Sequence, residues 1–439
     1  MLNEQKYINP EANSSKTMEF QTAKGVRDVP PEEKIVKNGI VNVMTEQFEL
    51  AGFAPLETPI LERYETLAAK FTAGEASDAL KEIFKLKDQG DRLLALRFDL
   101  TVPLSRFVAM NPNLKMPFKQ YELGVVFRDG PIKLGRYRQF WQAELNIVGS
   151  QSMLAETEIL SVVQNVFTKL DLDIVIKVNN RKLLNGLLEQ AGIKDKEEAL
   201  ISLDKLDKIG KDGVSQELKQ RGYSQKQIDN FFDLIEEGIS LADLGKKITS
   251  AEAKEGLNEL EELFQYCKIQ KINAIFDISL CRGLAYYTST VFETRLRDGS
   301  FTASLAGGGR FDKMIGNFIG GGREIPAVGI AFGLEPIIDV ISMRKKSTVR
   351  TPARVLVLPI NTVEQSLSIV SELRQAAIST DLALLKGVTK NLQYAAALGI
   401  PYVVIVGENE LKLKKVLLRD MTSGVEEVLT LKEVIKKLQ

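Results

Sequence analysis

The chain of 439 residues contains no histidine, two cysteines and one tryptophan. Without histidine there is no Ser–His or Cys–His nucleophile, and with Cys267 and Cys281 as the sole thiols the composition argues against a zinc site. Two cysteines make no disulfide framework, so a reducing cytoplasm is the expected compartment. No apolar run approaches the length of a membrane span, and the polar start, residues 1–16, does not read as a secretory signal. Neither sign of charge is in excess, since 58 Lys and Arg balance 58 Asp and Glu. Any contact with a polyanion must therefore come from a local basic patch. The chemistry left open is positioning, charge stabilisation and the use of a bound Mg²⁺.

What is present is an ordinary globular balance, 44% hydrophobic and 26% charged, in a chain too long for one core, so two or three domains are expected. From 33 to 52 the residues Ile35, Val36, Ile40, Val43, Met44, Phe48 and Leu50 recur at helical spacing, and Gly52 marks the end of that helix. An extended piece broken by Pro55 and Pro59 follows. Residues 93–147 alternate short strand runs with loops and no long helix between them, which predicts an antiparallel sheet. Residues 180–270 are rich in Lys, Glu and Leu at helical spacing and predict a helical insertion. Strand patterns return at 275–280, 286–294 and 300–305, and glycine-rich turns are expected at 306–310 and 320–323. A polar, basic linker at 342–352 precedes an α/β tail with buried-strand runs at 354–358 and 401–406 and helices at 364–377 and 390–398.

The segment Phe127-Arg-Asp-Gly-Pro-Ile-Lys-Leu-Gly-Arg-Tyr-Arg-Gln-Phe140 places arginines around a loop between two strand runs. Such a hairpin can aim guanidinium groups at one concave spot, as a polyphosphate requires. A basic surface hairpin without a ligand is the plain alternative for this segment taken alone. It resembles motif 2 of the class II aminoacyl-tRNA synthetases. Further, Asn273-Ala-Ile-Phe-Asp-Ile-Ser-Leu-Cys-Arg-Gly-Leu-Ala-Tyr-Tyr-Thr-Ser-Thr-Val-Phe-Glu293 and Leu305-Ala-Gly-Gly-Gly-Arg-Phe-Asp312 resemble the two signatures of the histidyl-tRNA synthetases. Ala23-Lys-Gly-Val-Arg-Asp28, Gly52-Phe53 with Thr58-Pro59, and Leu96-Arg-Phe-Asp-Leu-Thr101 fall in the family's order, and the tail resembles its anticodon-binding domain.

The resemblance implies an α+β chain: a tail at 1–18, a class II catalytic domain at 19–345 interrupted by the insertion, and an anticodon-binding domain at 352–439. It implies ATP and Mg²⁺, with histidine and histidine tRNA as partners and a homodimer formed through residues 35–62. Arg128 and Arg282 would be catalytic, gripping the α-phosphate of ATP and the amino-acid carboxylate from two sides. Arg136 and Phe140 would bind the γ-phosphate and the adenine. Asp99, Thr101 and Gln142 would hold the α-ammonium group. Tyr286, Tyr287 and Asn146 would line the side-chain pocket, with Tyr287 on the imidazole, and Gly307 to Gly309 would let the backbone approach the ligand. No side chain is assigned to a metal. A protein with this activity and no histidine could still be made during histidine shortage.

Five positions depart from the family pattern: Asn146 and Ala285 stand where acids are usual, Phe311 where a tyrosine is, Pro336 in place of the motif 3 arginine, and Gly130 where motif 2 has its acid. They motivate two other readings. One is a ligase of the same fold with a different amino acid or acceptor. The other is a non-catalytic, histidine-sensing paralogue like the regulatory subunit of ATP phosphoribosyltransferase, a type without an anticodon-binding domain.

Overall fold

A computed structural model describes residues 21–68, 78–132, 137–235, 238–281, 286–320, 322–344 and 349–439. Arg136, Arg282 and Ala285 lie outside the described residues. In chain order the strands are β1 (Ala54–Pro55), β2 (Leu61–Arg63), β3 (Lys85–Lys87), β4 (Leu93–Leu96), β5 (Phe118–Phe127), β6 (Gln139–Val148), β7 (Ile174–Asn180), β8 (Ala274–Phe276), β9 (Thr290–Leu296), β10 (Ala306–Arg310), β11 (Ala327–Gly333), β12 (Val355–Pro359), β13 (Thr380–Leu382), β14 (Tyr402–Val406), β15 (Val416–Asp420) and β16 (Glu426–Leu429).

The main sheet runs β1-β5-β6-β11-β10-β9-β7-β8. Its interior pairs are antiparallel, as the strand spacing predicts, and the two outermost pairs, β1 with β5 and β7 with β8, are parallel. Side chains alternate between its faces. One face carries Leu145, Ile147, Val328, Ile330, Phe332, Ile176 and Val178 into the core. The helix Pro31–Leu50 adds Ile40, Met44 and Phe48 to that core from one stripe, and Met153–Lys169 adds Ile159, Val163 and Phe167. The first helix begins with Pro31 and the acids Glu32 and Glu33, both favoured there, and stops before Gly52, whose φ of 75° needs a glycine. On the same side, Arg310 grips Glu156 with two parallel hydrogen bonds of 2.7 Å.

Two expectations about strands are overturned. The stretch 300–305 is irregular, and the glycines expected to form a turn at 306–310 make the interior strand β10. Glycine is there for closeness, because a Cβ on Gly308 would stand 2.1 Å from the carbonyl oxygen of Gly329 on the neighbouring strand.

In its described residues the insertion is built of helices joined by short turns, from Arg181–Gln190 to Ala251–Ile269. These two helices cross at glycine notches: a Cβ on Gly186 or Gly256 would meet the other helix's backbone nitrogen at 2.4 Å. Asn180 caps the first helix and also donates to Glu259 of the last at 2.6 Å, and Glu259 accepts from Ser289 as well. The expected linker begins later than its composition suggests, since Ser342, Met343 and Arg344 finish the helix Leu334–Arg344. Beyond it, the sheet β13-β12-β14-β15-β16 carries apolar clusters on both faces. Its first three strands are parallel and the remainder antiparallel.

Candidate active site

The second face of the main sheet is a trough. Along β6 it receives Phe140, Gln142, Glu144 and Asn146, the alternates of the core residues Ala143, Leu145 and Ile147. Their partners on β11 are Gly333, Ala331 and Gly329, and the next strand offers Gly307 and Gly309 opposite the last two. Large polar side chains thus stand beside a floor with almost none, and the hollow between is the trough.

One end is built by the turn from β4 into the helix Thr101–Met110. Arg97 reaches under it, donating to Glu122 at 2.7 Å, to the Thr58 carbonyl at 2.7 Å and to the Val125 carbonyl at 2.9 Å. Glu122 also accepts from the Thr58 backbone and hydroxyl. Gly124 makes this possible, as a Cβ there would stand 2.0 Å from the Arg97 guanidinium. Burial pushes the Glu122 carboxyl up, against the pull of Thr58 and Arg97. Asp99 follows directly. It lies in the turn, where its carboxylate accepts from the Val102 backbone and so fixes the start of the helix. Two residues on, the Thr101 hydroxyl donates to both carboxylate oxygens of Glu144, at 2.9 and 3.1 Å.

Arg128 closes the same end. Its Nε donates to the Phe98 carbonyl at 3.0 Å and its guanidinium lies 5.1 Å from the centre of the Phe140 ring. Behind Phe140, on the core face, Glu335 accepts from the Trp141 backbone while Lys37 lies 3.5 Å from Glu335 and 4.6 Å from the Trp141 ring centre.

Tyr286 and Tyr287 approach from the segment before β9, with hydroxyls 3.0 Å apart. The Tyr287 ring rests on Gly309, where a Cβ would meet it at 3.0 Å. Burial, Tyr286, and the charges of Glu144 and Asp99 hold the Tyr287 phenol well above its usual range, so it keeps its proton. Burial first, then Asp99, pushes Glu144 up to about 8. The Asn146 amide nitrogen lies 3.4 Å from Glu144, and the buried Gln142 Oε1 has no partner among the described residues.

Of the residues singled out from sequence, Asp99, Thr101, Arg128, Phe140, Gln142, Asn146, Tyr286 and Tyr287 gather at this trough. Phe311 is buried in an apolar cluster with Phe98 and Val102, against which Tyr286 and Tyr287 pack. Pro336 packs its ring against Gly333 at the end of β11. Gly308 and Gly309 serve strand and ring packing, whereas a Cβ on Gly307 would make only ordinary contacts, 3.6 Å from the Phe292 carbonyl oxygen and 3.9 Å from the Ser304 hydroxyl. Sequence reading left Arg97 and Glu122 out of the site. The signal was acids at alternate positions of apolar strands, since a buried acid requires a partner. Among the described residues no three acids or cysteines cluster as a metal cage.

A family model described as histidyl-tRNA synthetase matches residues 25–337, and one described as an anticodon binding domain matches 354–439. "Histidine--tRNA ligase 1" of Bacillus cereus is 43% identical over 417 residues, spanning 93% of this chain and 95% of its own length. The crystal structure of histidyl-tRNA synthetase from Nostoc sp. PCC 7120 superposes with a TM-score of 0.85 at 30% identity, covering 96% of this chain and all of that one. A Bacillus halodurans structure described as an ATP phosphoribosyltransferase regulatory subunit/histidyl-tRNA synthetase shares the fold, with a TM-score of 0.73 at 21% identity over 87% of this chain and 97% of its own.

Proposed function

Because this chain belongs to the histidyl-tRNA synthetase family, we propose that histidine and ATP meet in the trough between Asp99, Arg128 and Tyr287. The chain is an ATP-dependent ligase that joins histidine to its tRNA. An oxygen of the histidine carboxylate attacks the α-phosphorus of ATP and pyrophosphate leaves. A ribose hydroxyl at the tRNA 3′ end then attacks the activated carbonyl and AMP leaves.

The observation that carries the assignment of residues is the gathering of acceptors, Asp99, Thr101 and Gln142, beside Arg128 and Phe140, a pair suited to a nucleotide. The acceptors suit the α-ammonium group. Arg128 suits the α-phosphate, where negative charge grows as the carboxylate attacks, and Phe140 suits a base stacked on its ring. Arg136 and Arg282 would complete the phosphate grip, and Tyr287 with Asn146 would take the imidazole, with Tyr286 behind. Mg²⁺ would arrive on the ATP phosphates. Held chiefly by phosphate and water, the ion would neutralise charge on the leaving pyrophosphate. We place the catalytic domain at 19–345 and the anticodon-binding domain at 352–439, in a cytoplasmic homodimer joined through 35–62. The exposed Leu50, Ile60 and Leu61 in that stretch support such an interface.

Amino-acid-dependent pyrophosphate exchange with each of the twenty amino acids tests the reading. Exchange should depend on histidine and fall on the order of a hundredfold or more in Arg128→Ala and in Arg282→Ala. Exchange supported by another amino acid would replace the substrate, and near-normal exchange in both variants would remove the arginines from the mechanism.

A further inference from the structure

Thr101 and Asn146 each carry both a donor and an acceptor, so either could present hydrogen or oxygen to a ligand. Their contacts decide which. The Thr101 hydroxyl has one hydrogen, and it is directed at Glu144, 2.9 Å from one carboxylate oxygen and 3.1 Å from the other. The Asn146 amide turns its nitrogen to Glu144, at 3.4 Å, and its oxygen away, the orientation that an ionised carboxylate at Glu144 holds in place. That oxygen lies above Gly329, where a Cβ would stand 1.9 Å from it. Gly329 pairs directly with Gly309, the seat of the Tyr287 ring, and adjacent strands lie about 4.8 Å apart. The Asn146 oxygen and the base of the Tyr287 ring therefore stand over two paired, bare glycines.

We propose that Glu144 is a positioning residue that fixes the hydrogen-bond polarity of the amino-acid pocket. By taking the protons of Thr101 and Asn146 it leaves both presenting oxygen, so that Thr101 accepts from the substrate ammonium and Asn146 from one ring N–H. Tyr287 then donates to the other ring nitrogen. The inference rests on histidine being the substrate and deepens that reading: the ring is bound neutral, one nitrogen as donor and one as acceptor. Glu144 is 3% exposed and faces Asp99 from the turn, Glu122 from β5 and Tyr287 from the segment before β9, with Arg97 beyond Glu122. In the empty pocket burial and Asp99 favour its protonated form. The ammonium group of a bound substrate offsets both, so occupancy itself restores the carboxylate and the acceptor polarity.

Histidine-dependent pyrophosphate exchange is measured for the full chain, Glu144→Gln, Thr101→Val and the double variant, with the two ring N-methylhistidines as competitors. Each single variant should raise the KM for histidine about tenfold. The KM for ATP should hold and kcat should stay within a few-fold. The double variant should be no worse than the poorer single one, because both remove the same arrangement. The wild type should reject the isomer methylated on the nitrogen facing Asn146, and Glu144→Gln, which frees that amide to turn, should narrow the discrimination. An unchanged KM with unchanged discrimination in Glu144→Gln overturns the proposal, as do fully additive losses. If Glu144→Gln does not fold, an unchanged KM in Thr101→Val overturns it alone. A wild type that exchanges with another amino acid and not with histidine removes the substrate and the proposal together, an outcome distinct from normal histidine kinetics in the variants.

Discussion

Arg97 holds Glu122 at 2.7 Å where both side chains are almost wholly withdrawn from water, at 3% and 2% exposure. The pair fixes the floor beneath Phe98 and Asp99, and through the Phe98 carbonyl it also fixes Arg128. Replacing Arg97 by Met leaves a buried carboxylate without its cation. Such a loss costs about 3–5 kcal/mol, against a much smaller cost when both partners are replaced together. Urea unfolding of Arg97→Met and of the Arg97→Met, Glu122→Gln double variant should give that order, and equal stability of the two would contradict it.

Gly308 and Gly307 are adjacent glycines with opposite expected outcomes. A methyl on Gly308 would meet the Gly329 backbone at 2.1 Å, so Gly308→Ala must separate two interior strands. It should lose about 3 kcal/mol or more, as overpacking against immovable atoms does. A methyl on Gly307 finds its nearest neighbour at 3.6 Å, so that variant should melt close to the wild type and lose affinity for substrate. Thermal melts and exchange kinetics on both variants read the contrast, which a common loss of stability would refute.

A chain ending before Thr351 should still catalyse histidine-dependent exchange, because the main sheet and the trough lie upstream. Its charging of tRNA should be poor, since residues 354–439 match an anticodon-binding domain. Aminoacylation by the shortened chain at the full-length rate would show that the tail reads nothing.

The pH dependence of Glu144 has two signs. Its carboxyl is pushed up to about 8 in the empty protein, so the folded state binds its proton more tightly than the unfolded chain. For an acid raised on folding, stability is lost as pH rises from the ordinary carboxyl range through about 8. Glu144→Gln should therefore match the wild type near pH 4.5 and exceed it by a few kcal/mol at pH 8 and above. Histidine binding runs the other way. A bound ammonium favours the carboxylate, so wild-type affinity should climb between pH 6.5 and 8 while that of Glu144→Gln climbs less. Calorimetric melts and histidine titrations across pH 5–9 measure both, and parallel curves for the two proteins would exclude the role.

The trough was legible wherever a strand's own alternation carried it. In β6 the run Ala143, Leu145, Ile147 against Gln142, Glu144, Asn146 announces two faces, one apolar and one chemical. β10 was not legible, because Gly307, Gly308 and Gly309 have the composition of a turn and the reason for them lies on β11. Asp99 reaches the trough from a turn, since the strand ends three residues before it and the helix begins two residues after it. Arg97 and Glu122 are separated by 25 residues, and only the fold brings the cation under the acid. The helix Leu334–Arg344 overran the basic composition that suggested a linker because its buried face, through Ile338 and Val340, was already committed to the core.

A trough outlined by Gly307, Gly309, Gly329 and Gly333 is made by omission, and this limits how it can change. Every single-base substitution of a glycine codon that yields another amino acid adds atoms. Random variation at these four positions can therefore only silt the hollow, never widen it. A lineage drifting toward a bulkier substrate would have to begin on the opposite bank, with Gln142, Glu144 and Asn146, where side chains remain to be shortened.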